Sequence, residues 1–173
     1  MWDFFETVRH RHSVRKYQSD MPVEEAKLHA ILEAAIAAPS AGDRQAYKII
    51  AVSDTGLREG LAQAAGGQAF IAQAPVCLVF CTQAERSAQE FGERGRALYC
   101  IQDATIAAAY AQLAVVAAGM ASTWVGNFDA VAVRDLLSLE QGLEPVALLC
   151  IGYPAELPAA TGRRHLGDMV ERR

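Results

Sequence analysis

Residues 97–119, ALYCIQDATIAAAYAQLAVVAAG, form the longest periodic segment of the chain, rich in alanine and apolar on nearly every side. A helix of that composition has no face suited to water and must be buried. Its length would also span a bilayer. Against that reading, Gln102, Asp103 and Gln112 lie within it, and alanine drives insertion only weakly. A soluble chain of 173 residues can hardly wrap such a helix alone. The segment therefore points to a homodimer that shares it, because obligate interfaces resemble a core cut in half.

On its C-terminal side, Gly119 is placed to cap the helix, ASTWVGN reads as a strand and tight turn, and Asp129 can cap the helix AVAVRDLL. EPVALLCIG (144–152) reads as a buried strand, followed by the extended tail YPAELPAATGRR. On the N-terminal side, polar residues 83–96 read as a surface connection with room for a helical turn, and APVCLVFCT (74–82) as a strand covered on both faces. YKIIAVSD (47–54) is a further strand, with a weaker helix over 56–65. Before it, a helix ended by Pro39 carries Leu28, Ile31, Leu32, Ala35 and Ile36 on one face, with Glu24 and Glu25 in its first turn. WDFFETV adds a short amphipathic helix through Trp2, Phe5 and Val8. Helices alternate with strands, as in an α/β or α+β sandwich, in one domain over residues 1–173.

Apolar residues make up 52% of the chain and charged residues 21%, so it should be globular. The net charge of −4 argues against a general affinity for nucleic acid. Against that acidity stands RHRHSVRKY (9–17), a local basic cluster suited to a small anion. With Asp3, Glu6 and arginines in place of an apolar leader segment, a cytoplasmic protein is expected. Cys77, Cys81, Cys100 and Cys150 sit inside apolar runs, as buried reduced thiols do.

Familiar catalytic signals are missing: no GxGxxG follows a strand, and there is neither a GxxxxGK[ST] nor a GxSxG. His10, His12, His29 and His165 have no triad pattern around them, and two histidines among arginines make a poor cation site, so no metal is assigned. An anion site without a nucleophile or acid–base pair suits an enzyme whose cofactor carries the chemistry.

Four blocks, in order and suitably spaced, give that idea a specific form. They are RHSVRKY from Arg11, APSAGDRQAYKIIAV from Ala38, YCIQDATIAAAYAQLAVVAAGMASTWVGNFD from Tyr99, and PVALLCIGYPAE from Pro145 with GRRHL from Gly162. Together they resemble the FMN-dependent nitroreductase family over nearly the whole chain. The resemblance implies an α+β three-layer sandwich: a central mixed, mostly antiparallel sheet flanked by helices, with a long buried central helix. It also implies an intertwined homodimer with FMN at the interface and NADH or NADPH as electron donor.

By position, Arg11, Ser13 and Arg15 would contact the phosphate or flavin edge. His12 would offer backbone and ring contacts, and Arg163 or Arg164 would reach the phosphate from the tail. Pro39, Ser40 and Ala41 would lie against the ring or ribityl chain, with Asp43, Arg44 and Gln45 at the polar ring edge. Trp124 and Val125 would form an apolar wall, and the backbone N–H of Gly126 or Asn127 would point to the flavin N5. No catalytic side chain is implied. Departures from the family pattern are Asp43 in place of Asn, Ala46-Tyr47 in place of Pro-Trp, Thr161 in place of a basic residue, and a short 83–96 segment that suggests an open pocket. The implied activity is ping-pong reduction of nitroaromatics, quinones or similar flat acceptors. The alternatives are another reaction on the same FMN fold (dehalogenation, ene reduction, flavin fragmentation) or a non-enzymatic FMN carrier.

Overall fold

The computed structural model describes residues 3–173, so the expected contribution of Trp2 to the first helix lies outside the described residues. Helices α1 (Phe4–His10) and α2 (Glu25–Ile36) precede strand β1 (Tyr47–Val52). Helices α3 (Thr55–Ala64) and α4 (Phe70–Gln73) lead to β2 (Val76–Gln83). Helix α5 (Ala84–Arg94) continues through a π turn at Gly95–Tyr99 into α6 (Cys100–Ala117). Strand β3 (Ala121–Val125), α7 (Ala130–Leu136) and β4 (Leu143–Gly152) complete the core.

The apolar run that forms β2 is buried along almost its whole length, which follows from its central place in a sheet of order β1-β2-β4-β3. All three strand pairs are antiparallel; among the described residues, parallel pairing is confined to one bridge between Ser13 and Ser122. The β2–β4 register slips between Phe80, opposite Ala147, and Cys81, opposite Pro145. A proline has no N–H for the ladder, so a bulge there costs little.

Apolar clusters cover both faces of the sheet, giving three layers. One gathers Leu61 of α3, Ile71 of α4 and Val133 of α7 against Cys77, Val79 and Leu148. The other gathers Ile31 and Ala35 of α2 and the α6 alanines Ala104, Ala107, Ala108 and Ala111 against Leu78, Phe80 and Leu149. The short alanine side chains let α6 approach the sheet and α2 closely, which explains their density on that face. Arg58, almost buried, ties the first layer together by donating to the carbonyls of Ala72 and, at 2.6 Å, Ala74.

Burial of the long helix is one-sided within a chain. Asp103 and the alanine face are covered, while Ile101, Ile106 and Tyr110 reach solvent, as do Phe5 and Val8 of α1. The expected amphipathic α1 forms, but it buries Thr7 instead. A second correction concerns residues 83–96. Instead of a connection with at most a helical turn, Ala84–Arg94 form the full helix α5, kinked at Gly92 (φ 56°), which runs through the π turn into α6 as one helical run of 34 residues. That run is long and apolar enough to cross a membrane, yet its α6 half packs on the sheet through a face that includes a buried aspartate.

Helix ends follow local chemistry. Gly119, in the left-handed region (φ 79°), donates its N–H to Val116 O, and Met120 N–H bonds Val115 O, which closes α6 as a Schellman motif. Asp129 Oδ1 accepts from the N–H groups of Val131 (2.9 Å) and Ala132 (3.0 Å) at the start of α7. Asp129→Ala should therefore cost about 1 kcal/mol. Thermal denaturation checks this, with a midpoint lowered by about 2–4 °C in a chain of this size.

Candidate functional site

The basic segment is held by the residues between its charges. Arg11 ends α1 in extended backbone, its N–H bonded to Thr7 O at 3.1 Å. Beyond it the chain runs beside β3: Val14 N–H donates to Ser122 O (3.2 Å), and the Thr123 hydroxyl donates to Val14 O. Tyr17 is buried, and its hydroxyl lies 3.3 Å from Cys150 O and 3.4 Å from Thr123 Oγ1. Burial raises the Tyr17 phenol well above its usual value, so it stays a neutral donor. With Val14 and Tyr17 turned inward, Arg15 is left exposed, its guanidinium 5.8 Å from the Phe70 ring centre, while Arg11, His12 and Ser13 are half-buried. Neither Arg11 nor Arg15 pairs with a carboxylate among the described residues. The segment also covers the open edge of β3 that would otherwise invite another strand.

The same strand ends at the expected flavin turn. Successive strand residues face opposite ways, so Val125 enters the α3–α7 core while Trp124, half-buried, packs on the α6 side. The two side chains therefore cannot make one wall, and Trp124 alone is available for that role. Its indole lies near Gly126, whose missing Cβ would sit 3.6 Å from Trp124 Nε1. Gly126 and Asn127 are exposed, and among the described residues their N–H groups find no internal acceptor. Four residue steps along the strand, roughly 13 Å, separate Gly126 from Ser122, where the basic segment is pinned.

Residues 39–45 form a tight loop with Gly42 (φ 53°), Asp43 (φ 52°) and Gln45 (φ 47°) all in left-handed conformation. Internal bonds support it: Gln45 N–H donates to Ser40 Oγ (2.9 Å), and Gln45 Nε2 to Ile36 O (2.9 Å). Beneath it, the Asp103 carboxylate accepts from Ala41 N–H at 2.9 Å and Ala46 N–H at 3.4 Å. From the outer side, Arg44 Nε lies 3.4 Å from Glu90 Oε2, and Arg86 Nε donates to Arg44 O at 2.5 Å. Pro39, Asp43 and Gln45 are exposed; Ser40, Ala41 and Arg44 are half-buried.

The tail begins by pairing with the basic segment: Gln18 N–H donates to Tyr153 O (2.9 Å), Ala155 N–H to Lys16 O (2.8 Å), and Lys16 pairs with Glu156 (2.8 Å). From Ala159 onward it is exposed. Among the described residues, Arg163 donates to Thr161 and to Gly162 O, and Arg164 donates to Asp168 O. No bond among the described residues joins the 39–45 loop to the basic segment. The structure thus sets residues 11–15 and 124–127 along one strand, while no hydrogen bond or ion pair among the described residues joins the loop or the tail arginines to them. A polar groove of about 600 Å³ between Arg134 and Glu144 contains none of these residues. No group of three or more potential metal ligands occurs among the described residues.

Sequence reasoning missed three supports: Tyr17, Thr123 and Asp103. The signal for Asp103 was present, since a lone acid in an apolar helix must find donors.

Two guanidinium groups, Arg15 exposed and Arg11 half-buried, offer forks for phosphate oxygens, and two unfilled N–H donors beside an indole suit the edge of an electron-accepting ring. FMN carries both features, so these groups fit it. Comparison with known proteins agrees. The Nitroreductase family model matches residues 8–69 and 60–153. A Thermus thermophilus protein named NADH dehydrogenase is 34% identical over 173 residues, covering 84% of each chain. The oxygen-insensitive NADPH nitroreductase of Salmonella typhimurium is 32% identical over 153 residues, 84% of this chain and 63% of that one. The solved structure of NADPH:FMN oxidoreductase from Vibrio harveyi, complexed with NAD+, superposes with a TM-score of 0.89 at 28% identity, over 97% of this chain and 76% of the other.

Proposed function

This chain belongs to the nitroreductase family, and on that premise we propose that it is an FMN-dependent oxidoreductase using NADH or NADPH, with the cofactor lying along β3. The observation that carries this reading is the pairing on one strand of a pinned basic segment and, beyond its end, two unfilled N–H donors. When bound, FMN supplies the redox chemistry: two electrons in from a nicotinamide, two out to a nitroaromatic, quinone or similar flat acceptor.

The polypeptide binds and orients. Arg11, Ser13 and Arg15 hold the phosphate, with His12 beside them, and the N–H groups of Gly126 and Asn127 stabilise negative charge at the ring edge near N5. Trp124 gives an apolar surface that excludes water. Pro39, Ser40, Ala41, Asp43, Arg44 and Gln45 complete the ring and ribityl contacts, and Arg163 or Arg164 closes on the phosphate.

No hydrogen bond or ion pair among the described residues joins the 39–45 loop or the tail arginines to Arg11–Arg15, and in this reading these last contacts come from a second copy. A homodimer accounts for the exposed apolar face of Phe4, Phe5, Ile101, Ile106 and Tyr110. A groove of about 470 Å³ between α1 and α6, lined by Phe4, Ala34, Tyr110 and Leu113, lies in that face. The four cysteines are unpaired and buried, in keeping with a cytoplasmic protein.

The test is anaerobic. Protein reconstituted with FMN should bleach on adding NADH or NADPH and recover colour with a quinone or nitroaromatic. Steady-state double-reciprocal lines should run parallel. A flavin that neither nicotinamide reduces, or lines that intersect, would overturn the oxidoreductase or its ping-pong order.

A further inference from the structure

Asp103 is 2% exposed and sits on α6, yet among the described residues it forms no ion pair. Both its oxygens are turned to one segment: Oδ1 to the N–H of Ala41 and Oδ2 to that of Ala46, which bracket the 41–46 turn. The turn holds three residues in left-handed backbone, two of them not glycine, a conformation that surrounding structure must impose. The opposite side is closed by α5. A Cβ on Gly42 would come within 2.9 Å of Phe91 Cζ and 3.2 Å of Glu90 Oε1.

We infer that Asp103 is a positioning residue for the flavin site: its carboxylate clamps the 41–46 turn from beneath, while α5 presses it from above, and so presents Ser40, Ala41, Arg44 and Gln45 to the cofactor. The inference rests on the FMN reading for what the loop contacts, and on the structure alone for the clamp. A carboxylate suits this task because both of its oxygens face N–H donors here. An asparagine of the same shape accepts at one oxygen and turns an NH₂ group against the other N–H. The segment read from sequence as a short connection thus gains a role, as the outer jaw of the clamp.

The test uses amide hydrogen exchange on FMN-free protein together with FMN titration. In the wild type, the Ala41 and Ala46 amides should be protected while the exposed Gly42 amide exchanges. Free exchange at both would overturn the clamp, and this measurement needs no variant. In Asp103→Asn, exchange over residues 40–46 should rise at least tenfold with β2 amides unchanged, and FMN affinity should fall about tenfold. Arg58→Met, which removes a buried polar tie in the other helical layer, should lower the unfolding midpoint without changing FMN affinity, so loss of stability alone does not imitate the result. Unchanged loop exchange in Asp103→Asn, a uniform rise across the chain, or full FMN affinity despite a loosened loop would each overturn the inference. Arg15→Ala separates the two readings: if it weakens FMN binding while Asp103→Asn does not, only the positioning role falls. If neither variant affects binding, the FMN assignment falls with it.

Discussion

Replacing Arg15 with alanine is expected to weaken FMN binding ten- to a hundredfold. Its guanidinium is exposed, unpaired with any carboxylate among the described residues, and steadied over the Phe70 ring at 5.8 Å. The backbone beneath it is fixed by Val14 and Tyr17 on either side, so little ordering remains to be done when an anion arrives. A charge-assisted hydrogen bond is worth about 1.5–3 kcal/mol, which is about that range of affinity. Quenching of flavin fluorescence by the cofactor-free protein measures the change. Riboflavin, which lacks the phosphate, should bind wild type and Arg15→Ala alike. Equal FMN affinities for the two proteins would remove Arg15 from the phosphate site.

Gly152→Ala should cost about 2–3 kcal/mol, the upper part of the range for an overpacked core, and should also weaken FMN binding. Gly152 ends β4 where a Cβ would come within 2.7 Å of Pro75 Cδ and 2.9 Å of Tyr17 Cδ1. Neither ring can swing aside freely. Pro75 leads into β2, and Tyr17 is buried with its hydroxyl against Cys150 O and Thr123. Displacing Tyr17 moves the anchor of the basic segment, so a methyl group placed outside the site reaches the phosphate contacts. Denaturant unfolding should show the loss of stability, and thermal unfolding a midpoint about 4–12 °C lower. Wild-type stability would show that Tyr17 and Pro75 yield easily, and wild-type FMN affinity in a destabilised variant would show that Tyr17 does not set the segment.

These effects start from contacts the sequence exposed unevenly. The strands were legible because β2 and β4 are buried on both faces and read as unbroken apolar runs. The ends of α6 and α7 were legible because Gly119 and Asp129 act locally. Helix α5 was not: its first turns are polar, as a solvent-facing helix must be, and polarity also marks a connection. At the site, the charge of the basic segment was visible, but its attachment through Thr123 and Tyr17 joins residues 106 positions apart. The opposite orientations of Trp124 and Val125 follow from strand periodicity, once both are known to lie within β3. Asp103 could be recognised as a buried acid needing donors, but only the fold shows that Ala41 and Ala46 supply them.

A crystal structure of the protein grown with FMN tests the central claim most directly. The account predicts the phosphate within hydrogen-bonding distance of Arg11, Ser13 or Arg15, and the tricyclic ring beside the N–H groups of Gly126 and Asn127. FMN lodged elsewhere, for instance in the polar groove between Arg134 and Glu144, with residues 11–15 and 126–127 untouched, would contradict it.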